Sequence, residues 1–574
     1  METQLLEEII SETGVIKLKT ASPSDIVVTS GESWKCPVYV KKMPPCRSKC
    51  PSSEDIRGYL TYVAQSKDLK RPYEEAFDEA WRILTDKNPF PAVHGRICPH
   101  PCESGCNRQH IEDGSVAINN FERVVGDHGI KRGLKFKKLT DKKRDKKVAI
   151  IGAGPSGLSC AYQMARRGYP VTVFESSDKP GGMLRYGITS YRLPREVLDA
   201  EIQNILDLGV ELKCNTKIGV DISFEDLKKK YDAVYVAVGA QNGSKMNVEG
   251  EGIRRVFTGV DFLRRINNGE KVDIGKKIIV VGGGNTAIDA ARTCRRLGGD
   301  VTILYRRTRN EMPAIEHEIA AAEEEGVKFE FLAAPVCVLE KGEKGACAVD
   351  IKCIKMKLGE KDKSGRFRPV PIEGSDFSVG ADTVIAAIGQ EPDLTGMDAL
   401  KNKYGWIDVN KIRETAIQGV YAGGDVLGLD IATTAVGHGR MAAKAIEAYL
   451  NGQKYREPGT SRPIKHTDMK LDYYPAASRN ELRSLPVEKR INTFEEVNMT
   501  LTMDEAIAEA QRCMSCGLCF TCDRCRIFCP REAVSKDKKM PVGQKMFTDY
   551  TKCNGCHICA EVCPCGYIEM GMGL

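Results

Sequence analysis

The sequence predicts a multidomain α/β chain: a helical N-terminal section, two open parallel-sheet domains with the second inserted in the first, and a small α+β tail. Three observations carry this reading. Apolar β-rich runs alternate with helical patterns through the middle of the chain, as parallel α/β domains require. Two glycine-rich motifs, each following such a run, repeat within that section. The cysteines fall into three groups, six from Cys36 to Cys106, six scattered from Cys160 to Cys353, and eleven from Cys513 to Cys565.

At 574 residues the chain has room for about four domains. The expected spans are 1–140 for the helical section with its basic linker, and 141–273 and 375–454 for the first parallel-sheet domain. The second takes 274–374, an irregular Pro-, Arg- and Lys-rich linker 455–510, and the cysteine-dense tail 511–574. In the N-terminal section YEEAFDEAWRILTD, after Pro72, has helical periodicity, and MDEAIAEAQRC reads as a helix leading into the tail.

Composition excludes several classes. With 42% hydrophobic and 28% charged residues the chain is an ordinary globular one. No run approaches the eighteen or more apolar residues of a membrane span, and METQLLEEIISETG lacks the basic start of a secretory signal. A cytoplasmic, reducing location follows as the expectation, so the 23 cysteines read as metal ligands or thiols rather than disulfides. The net charge of +7 could come largely from one run, Lys131 to Lys147. Without interleaved aromatics or a binding motif it reads as a solvated linker, not a nucleic-acid surface, with a docking face for an acidic redox partner as the alternative.

The first motif is VAIIGAGPSG, from Val148 to Gly157, followed by a helical run and the strand VTVFE ending at Glu175. Strand, glycine turn, helix and an acid about twenty residues on form the Rossmann-like fingerprint. Gly152 makes the turn, Gly154 admits a pyrophosphate, Gly157 lets helix and sheet close up, and Glu175 receives the adenosine ribose. The second is KIIVVGGGNTAID, with Gly282, Gly284, Asn285 and Thr286, and Ala287 in the third glycine's place. Its following strand ends not in an acid but in Arg306 and Arg307, with Arg309 close behind. Arginines can bind a 2′-phosphate that a carboxylate would repel, which favours NADPH over NADH; plain surface charge is the rival reading. Two such sites imply a nicotinamide in one and a flavin in the other. Further on, Gly424 and Asp425 in GVYAGGD are expected near the flavin ribityl or pyrophosphate, and AVGHG from Ala435 to open a helix beneath its ring.

The tail carries the strongest signal. Cys519-x2-Cys522-x2-Cys525-x3-Cys529-Pro530 is repeated by Cys553-x2-Cys556-x2-Cys559-x3-Cys563-Pro564. This is bacterial-type ferredoxin spacing, in which each fourth cysteine crosses to the other [4Fe–4S] cluster. One site would take Cys519, Cys522, Cys525 and Cys563, the other Cys553, Cys556, Cys559 and Cys529. Paired CxxC units also suit zinc, although the duplicated order speaks against it. Cys513, Cys516 and Cys565 exceed the need of two cubes and read as plain thiols, unless Cys516 displaces Cys519 in a shifted register. Cys160, Cys214, Cys294, Cys337, Cys347 and Cys353 lack ligand spacing and read as small apolar residues.

These motifs, with GGMLRYGI from Gly181 to Ile188, YRLP from Tyr191 to Pro194, and YRR…EMPA, together resemble the glutamate synthase small-subunit family. That family includes the flavin half of dihydropyrimidine dehydrogenase and the large subunit of bifurcating NADPH:ferredoxin transhydrogenase. The resemblance spans about 30–455. It implies FAD in the first fold, with Gly182 and Arg192 among its contacts, NAD(P)H in the second, and a helical N-terminal Fe–S domain. Relatives carry two clusters there, yet the CxxC pair that opens their pattern is missing: Val38 and Lys41 stand where it would fall. The interleaved pattern implies one cube on Cys50, Cys98 and Cys102 with Glu122 as a non-cysteine ligand, a helix-surface glutamate being the alternative. Cys36, Cys46 and Cys106 would then serve a second cube with an unusual fourth ligand, or be structural thiols.

The function implied is an NAD(P)H:acceptor oxidoreductase that passes hydride to FAD and single electrons through one or two N-terminal and two C-terminal [4Fe–4S] clusters. No catalytic side chain beyond cofactor ligands is nominated. The two-cluster tail resembles that of iron–sulfur flavoproteins associated with dissimilatory sulfite reductase, so a sulfite reductase, a ferredoxin or a larger synthase subunit is the expected partner. The reverse direction, ferredoxin to NADP+, and a bifurcating or glutamate-synthase input subunit stay open, as does a homo-oligomer. Thioredoxin-reductase-like dithiol chemistry would need a CxxC in the second fold, which is lacking. A non-enzymatic electron-carrier scaffold would have no use for the intact glycines and Glu175.

Overall fold

A computed structural model describes residues 15–18, 26–29, 34–341, 348–362, 365–457, 459, 461–536 and 546–572. At its centre lie two five-stranded parallel sheets. The first runs in the order Val420–Ala422, Ala233–Val236, Val148–Ile151, Val171–Phe174, Glu211–Lys213. Every residue of the three middle strands is buried, as expected of parallel strands covered on both faces. Helix Pro155–Arg166 follows the glycine turn, with proline in its first turn, where a missing N–H costs nothing. Helix Ala432–Leu450 packs tightly against it. A Cβ at Gly439 would stand 2.2 Å from the Ser156 carbonyl oxygen, so only glycine allows this approach.

The second sheet runs Lys328–Phe331, Asp300–Tyr305, Lys277–Val281, Thr383–Ala386, Val256–Thr258. It therefore draws strands from both sides of the expected span 274–374. Thr383–Ala386, expected with the first domain, pairs in parallel with Ile278–Val281 and is wholly buried there. A short, wholly buried strand fits either sheet centre, so sequence alone could not choose. An antiparallel arm of strands Ala333–Glu340, Val349–Lys361 and Phe367–Ala381 covers one face, packing Val338, Val349 and Ile351 on Ile279, Val281 and Leu304.

The N-terminal section is helical between residues 45 and 131, and Tyr59, Phe77 and Phe121 stack at its centre. Helix Tyr73–Thr85 starts after Pro72, with Glu74 and Glu75 in its first turn, where the helix dipole favours acids. The tail is stitched to this section rather than tethered beyond it. Strand Lys35–Tyr39 pairs antiparallel with Ile568–Met572, joining the two ends of the chain in one sheet. The described residues of 455–510, read as a linker, are largely irregular before Met503 but strapped down. Ile464 N–H donates to Met43 O at 3.0 Å and Val497 N–H to Tyr191 O at 3.0 Å. Helix Met503–Gln511, started by a Thr502–Glu505 capping box, lies against helix Ile56–Ala64. Among the described residues, no helix is long and apolar enough to cross a membrane.

Candidate flavin, nicotinamide and iron–sulfur sites

A cleft of about 450 Å³ opens where the first sheet meets helix Pro155–Arg166, a size typical of cofactor pockets. Gly152, Gly154, Glu175, Gly182, Gly424 and Asp425 all line it. Gly152 has φ +104°, and a Cβ there would lie 2.4 Å from Ala237 O. A Cβ at Gly157 would lie 2.0 Å from Gly152 O, whereas one at Gly154 would meet nothing nearer than 4.0 Å. Gly154 is thus bare for the sake of the cleft, not of packing. That is the condition a pyrophosphate sets, and it meets the helix amino terminus. Glu175 is pinned at its strand end by Ala153 N–H and Ser177 N–H, each donating at 2.8 Å. Burial pushes the Asp425 carboxyl up to about 6.

A second cleft, of about 410 Å³, has Gly284, Asn285 and Thr286 on one wall and Met183, Asp425 and Ala435 on the other. Pro155, Met183, Asp425 and Ala435 line both clefts, so the two share one wall. Gly282 has φ +142°, and a Cβ there would meet Ala387 O at 2.2 Å. The space at Gly284 is open to 4.0 Å. Of the predicted arginines, Arg307 is buried and donates to Phe367 O at 2.7 Å and Asp362 at 2.8 Å. Arg309 pairs with Glu316 and Glu323. Arg306 is exposed at the end of strand Asp300–Tyr305. Arg192, expected at the flavin, edges the second cleft. Its guanidinium grips both Asp289 oxygens at 2.8 and 2.9 Å and Glu318 at 2.9 Å. Asp289 lies on the helix that follows the second glycine turn, so Arg192 clamps one fold to the other.

The N-terminal cysteines adjoin these clefts. Thr433, two residues before Ala435 on the same helix, donates to Cys98 Sγ at 3.1 Å, and Ile97 and Pro99 line the second cleft. Cys50, Cys98, Cys102 and Glu122 form one electrostatic group. Desolvation, then neighbouring negative charge, raises Cys50, Cys102 and Glu122 far above their ordinary ranges. Asn88 donates to Glu122 Oε1 at 2.9 Å. Two neighbours escaped the sequence reading, Glu54 and His94, which stand with Glu122 so that one ligand atom from each lies within 4.8 Å of the others. His94 is buried with both ring nitrogens unpartnered by protein. No spacing rule links these three positions.

In the tail the structure brings Cys563 to Cys519, Cys522 and Cys525, and Cys529 to Cys553, Cys556 and Cys559. Among the described residues, no three cysteines bring their sulfurs within 4.8 Å of one another. Zinc with Zn–S near 2.3 Å would need sulfurs about 3.8 Å apart, so the wider sets suit a cube instead. The donor chemistry, thiols in two interleaved sets, fits [4Fe–4S]. Cys565 packs beside Cys563 with sulfurs 3.8 Å apart. The expected grouping of Cys36 with Cys46 and Cys106 does not occur. Pairing of Cys36 with Gly571 carries it to Cys553 instead. Cys46 and Cys106 share a pocket with Cys513 and Cys516, the pair read as plain thiols. Cys347 lies outside the described residues.

A model of the pyridine nucleotide-disulphide oxidoreductase family matches residues 146–439. One of dihydropyrimidine dehydrogenase domain II, 4Fe-4S cluster, matches residues 28–134. The NADPH-Fe(3+) oxidoreductase subunit beta of Geobacter sulfurreducens is 37% identical over 518 residues, 83% of this chain and 75% of that protein. The NADP(+)-dependent formate dehydrogenase subunit beta of Moorella thermoacetica is 38% identical over 517 residues, 82% and 70% of the two chains. The glutamate synthase [NADPH] small chain of Azospirillum brasilense is 34% identical over 434 residues, 72% and 87%.

Proposed function

The chain belongs to the pyridine nucleotide-disulphide oxidoreductase family, and from that premise we propose that it is the electron-input subunit of a larger redox enzyme, with NADPH as donor. FAD, when bound, accepts two electrons as hydride and gives them up singly, which joins a nicotinamide to [4Fe–4S] clusters. What the chain's own residues contribute is placement. The observation that carries the reading is the wall of Pro155, Met183, Asp425 and Ala435 common to both clefts. It would bring a nicotinamide held at Gly284–Thr286 to the ring end of a flavin held at Gly152–Gly157. From there the Thr433–Cys98 contact gives single electrons a way out. No side chain need take or give a proton in that transfer.

Arg306 supports NADPH over NADH. It is exposed, and no ion pair of it occurs among the described residues, whereas Arg307 and Arg309 are engaged. The relatives above are named as subunits or a small chain and carry NADPH or NADP(+) in their names. These names support a protein acceptor docking at the ferredoxin-like tail, and thiolate-bound iron supports a reducing, cytoplasmic location. Anaerobic titration tests the reading: NADPH should bleach the flavin at lower concentration than NADH, and Arg306→Ala should remove that preference. Failure of both nucleotides to bleach it refutes the proposal.

A further inference from the structure

We propose that Cys513 and Cys516 complete a further [4Fe–4S] site with Cys46 and Cys106, so that the two ends of the chain jointly hold a cube between the flavin side and the ferredoxin-like tail. Cys46, Cys106, Cys513 and Cys516 line a single pocket together with Arg57. All four are free thiols. The pair at 513 and 516 has the x2 spacing that wraps one corner of a cube. The CxxC absent from the N-terminal section is thus supplied about 470 residues later in the chain, by the turn that follows helix Met503–Gln511.

Arg57 is the independent sign that an anion belongs there. Its side chain is 1% exposed. It donates to the carbonyl oxygens of Lys42 and Cys516, and its Nε has no partner. No salt bridge of it occurs among the described residues, Asp55 acting on it only from farther off, whereas its neighbour Arg108 has Asp113 at 3.0 Å. A buried cation with no direct ion pair is costly. Four neutral thiols do not offset it. Four thiolates around a [4Fe–4S]2+ core, at about −2 net, do, and the four protons released on binding leave to water. Zinc would also be anionic with four thiolates, but these sulfurs are too widely set for it.

The location gives the site its use. Cys46 and Cys50 lie one helical turn apart, with Cys50 N–H donating to Cys46 O at 3.1 Å, so this cube would neighbour the one at Cys50, Cys98 and Cys102. On the other side Cys516 and Cys519 are three residues apart, a span of at most about 10 Å. The steps Cys46–Cys50, Cys102–Cys106, Cys516–Cys519 and Cys525–Cys529 thus link each site to the next along the chain, with the Thr433–Cys98 contact at the flavin end. The inference rests on the electron-transfer reading only for this use; occupancy of the site is tested separately.

The test is the metal content of the anaerobically purified full chain. Four cubes require about 16 iron atoms and as many sulfides per FAD; three require about 12. The double variant Cys513→Ala/Cys516→Ala should lose about 4 of each and one cluster component from the Mössbauer and EPR spectra. It should keep its flavin, which NADPH still bleaches, while Cys36→Ala loses no iron. A fully flavinated wild-type chain holding about 12 irons overturns the proposal. So does a double variant with unchanged iron, or zinc that disappears with the pair. Loss of nucleotide bleaching in the wild type would instead count against the electron-transfer reading and leave the iron count standing.

Discussion

Two neighbouring glycines of the first motif are predicted to fail in different ways when changed to alanine. In Gly157→Ala the new Cβ would sit 2.0 Å from Gly152 O, a backbone atom held in the turn. Helix Pro155–Arg166 must move away from the sheet, at a cost of about 1–3 kcal/mol for overpacking a tight contact. In Gly154→Ala the nearest atom is 4.0 Å away, so stability should change by less than about 0.5 kcal/mol. That methyl instead fills the space a pyrophosphate would occupy, and FAD affinity should fall at least about tenfold, or 1.4 kcal/mol. Thermal melting of flavin-stripped protein and fluorescence titration with FAD separate the two. Gly157→Ala should melt early, whereas Gly154→Ala should melt as wild type yet bind FAD poorly. If Gly154→Ala binds FAD as tightly as wild type, the phosphates do not lie on this turn and the assignment of the first cleft is wrong.

The other predictions concern the second fold and the contact between the two. Gly284→Ala should retain FAD but raise the KM for NADPH at least about tenfold, because its Cβ meets only the open cleft; an unchanged KM would move the nicotinamide site elsewhere. Arg192→Leu leaves Asp289 buried without its ion-pair partner, while Glu318 keeps Arg292, and should destabilise the chain by about 3–5 kcal/mol, measured as a shift in the denaturant midpoint; a change under about 1 kcal/mol would contradict the clamp. Glu325 is desolvated, yet hydrogen bonds and charge from Arg292 and Arg296 bring its carboxyl down to about 2. Its folded value lies below the ordinary 4.5, so its contribution to stability is complete above pH 4.5 and is lost as pH falls towards 2. The stability difference between wild type and Glu325→Gln should therefore be flat through neutral pH and shrink only in acid. A slope across neutral pH would refute this.

Much of this was legible in the sequence because local spacing carried it. The strands around Gly152 and Gly282, the helix after Pro72 and the two ferredoxin runs each depend on residues within about thirty positions. What stayed hidden depends on long-range closure. Thr383–Ala386 looks equally suited to either sheet, and only pairing with Lys277–Val281 decides. Cys36 stands near Cys46 in sequence, but its strand pairs with residues 568–572 and carries it to the tail. Cys513 and Cys516 had ligand spacing, yet their counterparts lie at the other end of the chain. Arg192 and Arg307 looked available for anions until Asp289 and Asp362 were found beside them. Charge in a sequence has no visible partner; of Arg306 and Arg307, only Arg306 is without an ion pair among the described residues.

Electrons should move in a fixed order: hydride to flavin first, iron second. Freeze-quench EPR of the anaerobic holoprotein mixed with NADPH measures it directly, with flavin absorbance followed in parallel. Cluster signals should rise only after the flavin bleaches, and protein stripped of FAD should give none. Cluster reduction by NADPH in flavin-free protein, or full flavin bleaching that never reaches the iron, would contradict it.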